Sequence, residues 1–245
     1  MATVLGKKFR SSGHDILQIV GRDGSSVAEL AGSLQADAVT DFRQISPAAD
    51  VYLIAVSDAA VGIVREQLPA LKGVVAHTAG SVSLDELQSV GSNYGVFYPL
   101  QSLKKGVETN AVIPILVDGN NEQAVAVLRS LAQSISDQVQ VATDAERARL
   151  HLAATVVNNF SNHLFALAYD YCREEDLSFE MLLPLIKKTV DNLGGMDPSL
   201  LQTGPAKRHD TGTIEKHLAL LQKHEQLKEI YSVLSQSIMR SEQFS

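Results

Sequence analysis

Apolar and polar positions fall in blocks along the first half of the chain. Three short apolar runs each end in small polar residues: Ile16-Leu-Gln-Ile-Val20 before Gly21-Arg22-Asp23, Val51-Tyr-Leu-Ile-Ala-Val56 before Ser57-Asp58, and Val74-Val-Ala-His77 before Thr78-Ala79-Gly80-Ser81. Continuous apolar runs of this length, bounded by turn residues, are the pattern of strands buried on both faces of a parallel sheet. Further strands are predicted at 94–97, 113–117 and around 139–141. Pro114 puts the second of these at an edge or at the start of its strand, because proline donates nothing to a ladder. Helical stretches separate the runs, among them 2–10 and 59–68. Ser26-x-x-Glu29 and Ser83-x-x-Glu86 have the spacing of capping boxes, and Asp58 that of an N-cap for the 59–68 helix. Strand and helix alternating in this way predict an α/β fold with a parallel sheet.

Beyond Val141 the period changes and only helical patterning remains. The stretch 145–173 is apolar nearly all round, which predicts a helix buried on every side. Its neighbours are the helices predicted at 179–192, 213–223 and 225–239, or the same helices of a second subunit. The expected boundary lies at Ala142-Thr143-Asp144, giving an α/β domain over 1–142 and an all-α domain over 143–245.

Composition narrows the function classes. With 245 residues, 45% hydrophobic and 20% charged, the chain has the make-up of a globular protein with a sizeable core. Its net charge of -7 disfavours non-specific attraction to nucleic acid or to anionic membrane surfaces. Cys172 is the only cysteine, so no intrachain disulfide and no thiolate cluster for a metal is expected. No targeting segment or apolar span is visible, and the cytoplasm is the expected compartment.

Candidate chemistry gathers where the predicted strands end, since ligands of open α/β sheets settle at the carboxyl edge. Arg22 stands where dinucleotide sheets choose their coenzyme: an acidic residue there would bind a ribose 2′-hydroxyl, whereas arginine can pair bidentately with a 2′-phosphate. The competing reading is a solvated arginine in a polar turn. Ser25 could add a hydroxyl to the same phosphate or serve the turn beside Gly24. Val56, Ser57 and Asp58, then Thr78 and Ala79, end the next two strands and are candidate cofactor contacts. His77 brings a titratable imidazole to that edge, beside a glycine that permits close backbone approach. Its alternative is a structural hydrogen-bonding residue. On the long helix His151, Thr155, Asn158 and Asn162 recur at spacings of four, three and four and so share a face. Such a stripe must find partners, in a cleft or across a subunit interface. A last cluster, Gln202-Thr-Gly-Pro-Ala-Lys-Arg-His-Asp210, offers Arg208 and Asp210 as an ion pair or a helix cap, and Arg208 as a contact for a substrate anion.

With those motifs in this order, the chain resembles the Rossmann-like NADP-oxidoreductase family whose helical carboxyl-terminal domain is of unknown function. It is more distantly similar to pyrroline-5-carboxylate reductase, ketopantoate reductase and the 6-phosphogluconate-dehydrogenase-like proteins. The resemblance runs through residues 51–58 and 77–81, Phe97-Tyr-Pro-Leu100, residues 151–163 and 203–210. It implies NADP(H) at the sheet edge and a helical domain closing the cleft and forming a homodimer. It also implies hydride transfer to a small imine or carbonyl substrate. Thr155, Asn158 and His77 would then orient the substrate while Arg22 selects the coenzyme. Two departures stand out. The family's first strand and glycine loop would precede Ala2-Thr-Val-Leu5, where this sequence has neither, so an N-terminally truncated binding domain is expected. β-Hydroxyacid members carry a lysine where Thr155 stands, which favours an imine, whose iminium carbon needs no separate proton donor. The rival expectation is a non-catalytic dinucleotide-binding dimer or interaction module.

Overall fold

The computed structural model describes residues 1–103 and 112–241. In chain order its elements are α1 (Ala2–Ser11), β1 (Gln18–Val20), α2 (Gly24–Leu34), β2 (Asp37–Val39), β3 (Val51–Ile54), α3 (Val61–Arg65), β4 (Val74–His77), β5 (Tyr94–Pro99), β6 (Ile115–Gly119), α4 (Glu122–Gln133) and β7 (Val139–Val141). There follow α5 (Asp144–Ala154), α6 (Ser161–Glu174), α7 (Leu183–Asp191), α8 (Thr211–Leu220) and α9 (Glu225–Ser241). The chain divides into two compact units, Met1–Asn158 and Asn159–Ser245. The first is α/β and the second helical.

In the first unit β1 and β2 form one parallel pair, and the other strands form a second sheet in the order β3-β4-β5-β6-β7. Strands β3, β4 and β5 run parallel, so their carboxyl ends share an edge, with Ile54 opposite His77 and His77 opposite Val96. The pairing of β5 with β6 is antiparallel, a departure from the all-parallel sheet that the sequence pattern predicts. Pro114 sits just before β6, where its carbonyl accepts from the Leu100 amide at 2.8 Å and no donor is required of it.

Alternation along the strands sorts side chains between the two faces. Phe97, Ile115 and Val117 join Leu5 and Phe9 of α1 and Ala124, Leu128 and Ala132 of α4 on one face. The spacing of four within α4 is what a helix needs to present one stripe to a sheet. Val96, Tyr98 and Leu116 point the other way, towards Ala142 and Leu150. Gly95 allows the close packing of this layer: a Cβ there would lie 2.4 Å from both the Asp118 carbonyl oxygen and Leu128 Cδ1.

Several helix starts differ from the predicted ones. Asp23, not Ser26, caps α2, accepting from the Ser25 amide at 3.1 Å, while the Ser26 hydroxyl donates to the same carboxylate at 2.6 Å. Asp58 caps nothing; it lies inside a 3-10 turn, Asp58–Ala60, and accepts a hydrogen bond from Ser81. Glu86 turns to Arg65 at 3.1 Å instead of closing a box on Ser83. The capping box that does form is Thr143 with Glu146, at the start of α5.

The helical unit has a thin core of its own. Cys172, Ala206, Ile214 and Leu221 are its buried apolar residues among those described. The predicted burial of 145–173 does not hold within this chain, where Leu152, Val157 and Phe160 are 64%, 72% and 57% exposed. The predicted uninterrupted helix is also modified, because residues Thr155–Phe160 wind as a π-helix between α5 and α6. Polar contacts supply part of what the apolar core lacks. His217 and Tyr231 meet at 2.8 Å between α8 and α9, and His224 pairs with Glu174 and Glu175. Asp210 caps α8 through the Thr213 amide at 3.0 Å, one of the two roles expected for it. No helix among the described residues is long and apolar enough to cross a membrane.

Candidate functional site

The carboxyl edge of β3, β4 and β5 gathers polar groups that lie far apart in sequence. The chain leaves β4 through a buried stretch, Thr78-Ala79-Gly80, before Ser81 emerges and donates to Asp58 beyond β3. Thr78 is tied back to β3: its amide and its hydroxyl both donate to the Ile54 carbonyl, at 3.1 and 3.3 Å. Those bonds fix the direction in which Gly80 and Ser81 leave the sheet.

The loop that follows is clamped by the first turn of α5. Asp144 accepts from the Ser83 hydroxyl at 2.6 Å, the Leu84 amide at 3.0 Å and Arg147 Nη2 at 2.6 Å. Burial opposes ionisation of Asp144, but these hydrogen bonds more than offset it and hold the carboxyl below the ordinary aspartate range. Arg147 is only 1% exposed and its Nη2 also donates to the Val82 carbonyl at 2.5 Å. Its Nε and Nη1 are buried without a partner, so the guanidinium depends heavily on Asp144.

With α5 fixed in this way, one helical turn further on His151 comes to rest against the end of β5. Its Nδ1 lies 2.8 Å from the Tyr98 hydroxyl, the two rings meeting edge-on at 71°. Both pack on Gly80, where a Cβ would stand 2.6 Å from His151 Nδ1 and 2.9 Å from Tyr98 Cζ. The glycine of the 77–81 motif therefore makes room for a tyrosine–histidine pair. Burial, reinforced by the charge of Asp58, raises the Tyr98 phenol above its usual value and keeps it protonated.

His77, the predicted titratable group of this edge, is placed differently. It is 0% exposed, its Nδ1 accepts from the Ala79 amide at 3.2 Å and its Nε2 faces the Ser83 carbonyl at 3.3 Å. Burial pushes its pKa down to about 4, only partly opposed by the Ser83 carbonyl. A neutral imidazole with both nitrogens engaged is a structural residue that shapes the 77–83 loop, and it has no free nitrogen to offer a substrate.

The comparisons with known proteins follow this architecture. A family model described as a domain of unknown function, DUF2520, matches residues 113–238. A solved structure from Bacteroides fragilis, described as a candidate NADP oxidoreductase, is 32% identical, with a TM-score of 0.91 over 98% of this chain and 94% of its own. The chain belongs to the DUF2520 family. A Thermotoga maritima protein shares the fold at 22% identity and a TM-score of 0.78, over 96% of this chain and 94% of its own. So does the reductive aminase of Aspergillus terreus, solved in complex with NADPH and ethyl-5-oxohexanoate, at 15% identity and a TM-score of 0.73 over 98% and 91%. No curated protein matches the sequence. The Rossmann-like α/β unit and helical carboxyl-terminal unit of this DUF2520 protein are thus a fold it holds in common with NADP(H)-binding oxidoreductases.

Within that fold the other predicted residues take the following places. Arg22 and Ser25 are exposed just past β1, and Arg22 has no acceptor among the described residues. Val56, Ser57 and Asp58 are exposed past β3, whereas Thr78 and Ala79 are buried at 4% and 3%. Val56 to Asp58 and Thr78 to Ser81 are brought together, whereas Arg22 and Ser25 follow β1, which pairs with β2 in the other sheet. Thr155 uses its hydroxyl on the His151 carbonyl at 3.0 Å. The π-helix breaks the spacing that put Asn158 and Asn162 on one face with His151. The sequence reading missed Tyr98, Asp144 and Arg147. A signal existed for one of them: Thr143-x-x-Glu146 is a capping box, and it marks where α5 begins and hence which face carries Arg147 and His151.

Proposed function

We propose that this protein is an NADP-dependent oxidoreductase that transfers a hydride between the nicotinamide and a small imine or carbonyl substrate. Arg22 carries the reading: an exposed guanidinium with no acceptor among the described residues, directly past the carboxyl end of a parallel strand. The Ser25 hydroxyl is exposed close behind it, and Thr40 follows the neighbouring strand. That donor set suits a 2′-phosphate, and the carboxylate next to it in sequence, Asp23, accepts from the Ser25 amide and the Ser26 hydroxyl. The exposed segment from Val56 to Asp58 suits the coenzyme's ribose and phosphates. Thr78 and Ala79 contribute through the turn they build, since their side chains are sealed. When bound, the coenzyme supplies the hydride; the protein's part is to orient the substrate and manage its proton. Asn158, exposed at the end of the α/β unit, is the member of the predicted substrate set best able to reach a substrate.

The helical unit supports a homodimer. Met181, Leu185 and Leu200 are 79%, 65% and 75% exposed, large apolar side chains of the kind that a second copy covers.

Replacing Arg22 by Asp tests the coenzyme assignment. A charge-assisted hydrogen-bonding contact contributes about 1.5 to 3 kcal/mol, so NADPH affinity should drop roughly 10- to 100-fold while NADH affinity changes little. Equal loss for both coenzymes would remove the basis for the reading. Saturable NADPH binding with no turnover across imines and keto acids would favour the non-catalytic binding module instead.

A further inference from the structure

The tyrosine–histidine pair over Gly80 is a second feature of the carboxyl edge, and nothing in the coenzyme reading requires it. Four observations bear on its role. Tyr98 lies at the carboxyl end of β5, which runs parallel to β4, so it shares the edge with Ser81 and Asp58. Its hydroxyl and His151 Nδ1 are 2.8 Å apart, so the nitrogen nearest the sheet is occupied. His151 Nε2 has no partner among the described residues. Among the described residues the sealed, unpaired side-chain atoms are confined to Arg147, and the His151 ring is half-buried, so this nitrogen is not sealed from solvent. Finally the arrangement is held from both sides, by the missing Cβ of Gly80 and by the clamp of Asp144 on the loop 82–84.

We propose that His151 is the proton donor of this site and that Tyr98 is the positioning residue that turns its Nε2 towards the substrate. The assignment rests on the oxidoreductase reading and adds the group that reading leaves open. His77 cannot serve, being sealed, and Thr155 directs its hydroxyl at the His151 carbonyl. In the step, the carbonyl carbon accepts a hydride from the reduced nicotinamide and the C=O π pair moves to oxygen. The oxygen takes the Nε2 proton of the charged imidazole, whose N–H bonding pair stays on the ring. The ring ends neutral, with Nδ1–H donating to the Tyr98 oxygen, and regains its proton from water. The net change is a ketone, a hydride and a proton becoming an alcohol. A substrate that is already a quaternary iminium ion becomes a tertiary amine by hydride addition alone and requires nothing from His151.

That difference between substrates is the test. NADPH oxidation by the full chain is followed with cyclohexanone and with an N-methyl dihydroisoquinolinium salt, for wild type, His151→Asn and Tyr98→Phe. General-acid catalysis is typically worth about 100-fold or more. His151→Asn should therefore lose roughly that factor in kcat on the ketone with little change in KM, and keep its rate on the iminium. Added imidazole should restore part of the ketone activity of His151→Ala. Tyr98→Phe should show the same selectivity in weaker form. Equal losses on both substrates, or none on the ketone, overturn the proton-donor role while leaving the oxidoreductase reading intact. A wild type that reduces neither compound overturns that reading and the donor role together. A readout independent of turnover is nitrogen NMR of the His151 ring in the unliganded protein. Tyr98→Phe should shift the Nδ1 resonance and, through the tautomer balance, the Nε2 resonance in the opposite sense, and an unmoved Nδ1 signal overturns the positioning role.

Discussion

The buried imidazole of His77 predicts a specific acid sensitivity. In the unfolded chain this side chain titrates at the ordinary histidine value of 6.5, and in the fold at about 4. Above pH 6.5 both states are neutral and the residue contributes nothing to the pH dependence. Below it the unfolded state binds a proton that the folded state refuses, so stability falls as pH is lowered and levels off near the folded value. Each pH unit of such a shift corresponds to about 1.4 kcal/mol, so the whole interval is worth about 3 kcal/mol. The perturbation is His77→Asn, whose amide oxygen can replace Nδ1 as acceptor for the Ala79 amide and which does not titrate. Urea unfolding followed by near-UV circular dichroism, at several pH values between neutrality and 4, gives the wild-type and variant curves. The variant should start less stable at neutral pH and lose less on acidification, the gap between the curves closing by up to about 3 kcal/mol. Other groups titrate in the same experiment; Asp118, raised by burial, acts in the opposite direction, its penalty easing as pH falls. It is present in both proteins and cancels in the difference. Parallel curves would refute the argument that His77 is held neutral by burial.

Three further outcomes follow from the same contacts. Asp144→Ala should cost about 3 to 5 kcal/mol, because it leaves the buried Arg147 uncompensated, and adding Arg147→Met should recover much of that loss in a thermal unfolding series. Gly80→Ala should displace His151 from Tyr98 and destabilise the fold by about 1 to 3 kcal/mol, read as a lower melting temperature; an unchanged value would mean that the pair yields freely. Leu185→Glu, at an exposed position of α7, should convert a dimer into monomer by analytical ultracentrifugation without altering the circular dichroism of the chain.

Short-range chemistry made much of the fold legible in the sequence. The run ending at His77 became a strand with the predicted bounds, as an uninterrupted apolar segment buried on both faces of a sheet does, and the short strand at 139–141 formed as the exposed last strand of its sheet. The helical character of everything past Val141 was equally plain. The order of the strands and the reversal of β6 were decided by tertiary pairing, which periodicity does not encode. The site divides in the same way. Arg22 and Ser57 could be placed at strand ends from the chain alone, since a polar residue after a buried strand has only the edge to occupy. Whether a histidine at such an edge is open or sealed depends on what packs over it. His77 is covered and bonded by its own loop, and His151, predicted only as part of a helical stripe, is the imidazole left with an open nitrogen. Its partner Tyr98 is separated from it by fifty-three positions, and a contact of that range exists only once Asp144 has docked the start of α5 against the loop after β4. Sequence thus settled which element most segments become; the fold alone settled how deeply the long helical stretch is covered and which titratable groups meet, because both depend on packing between elements distant in the chain.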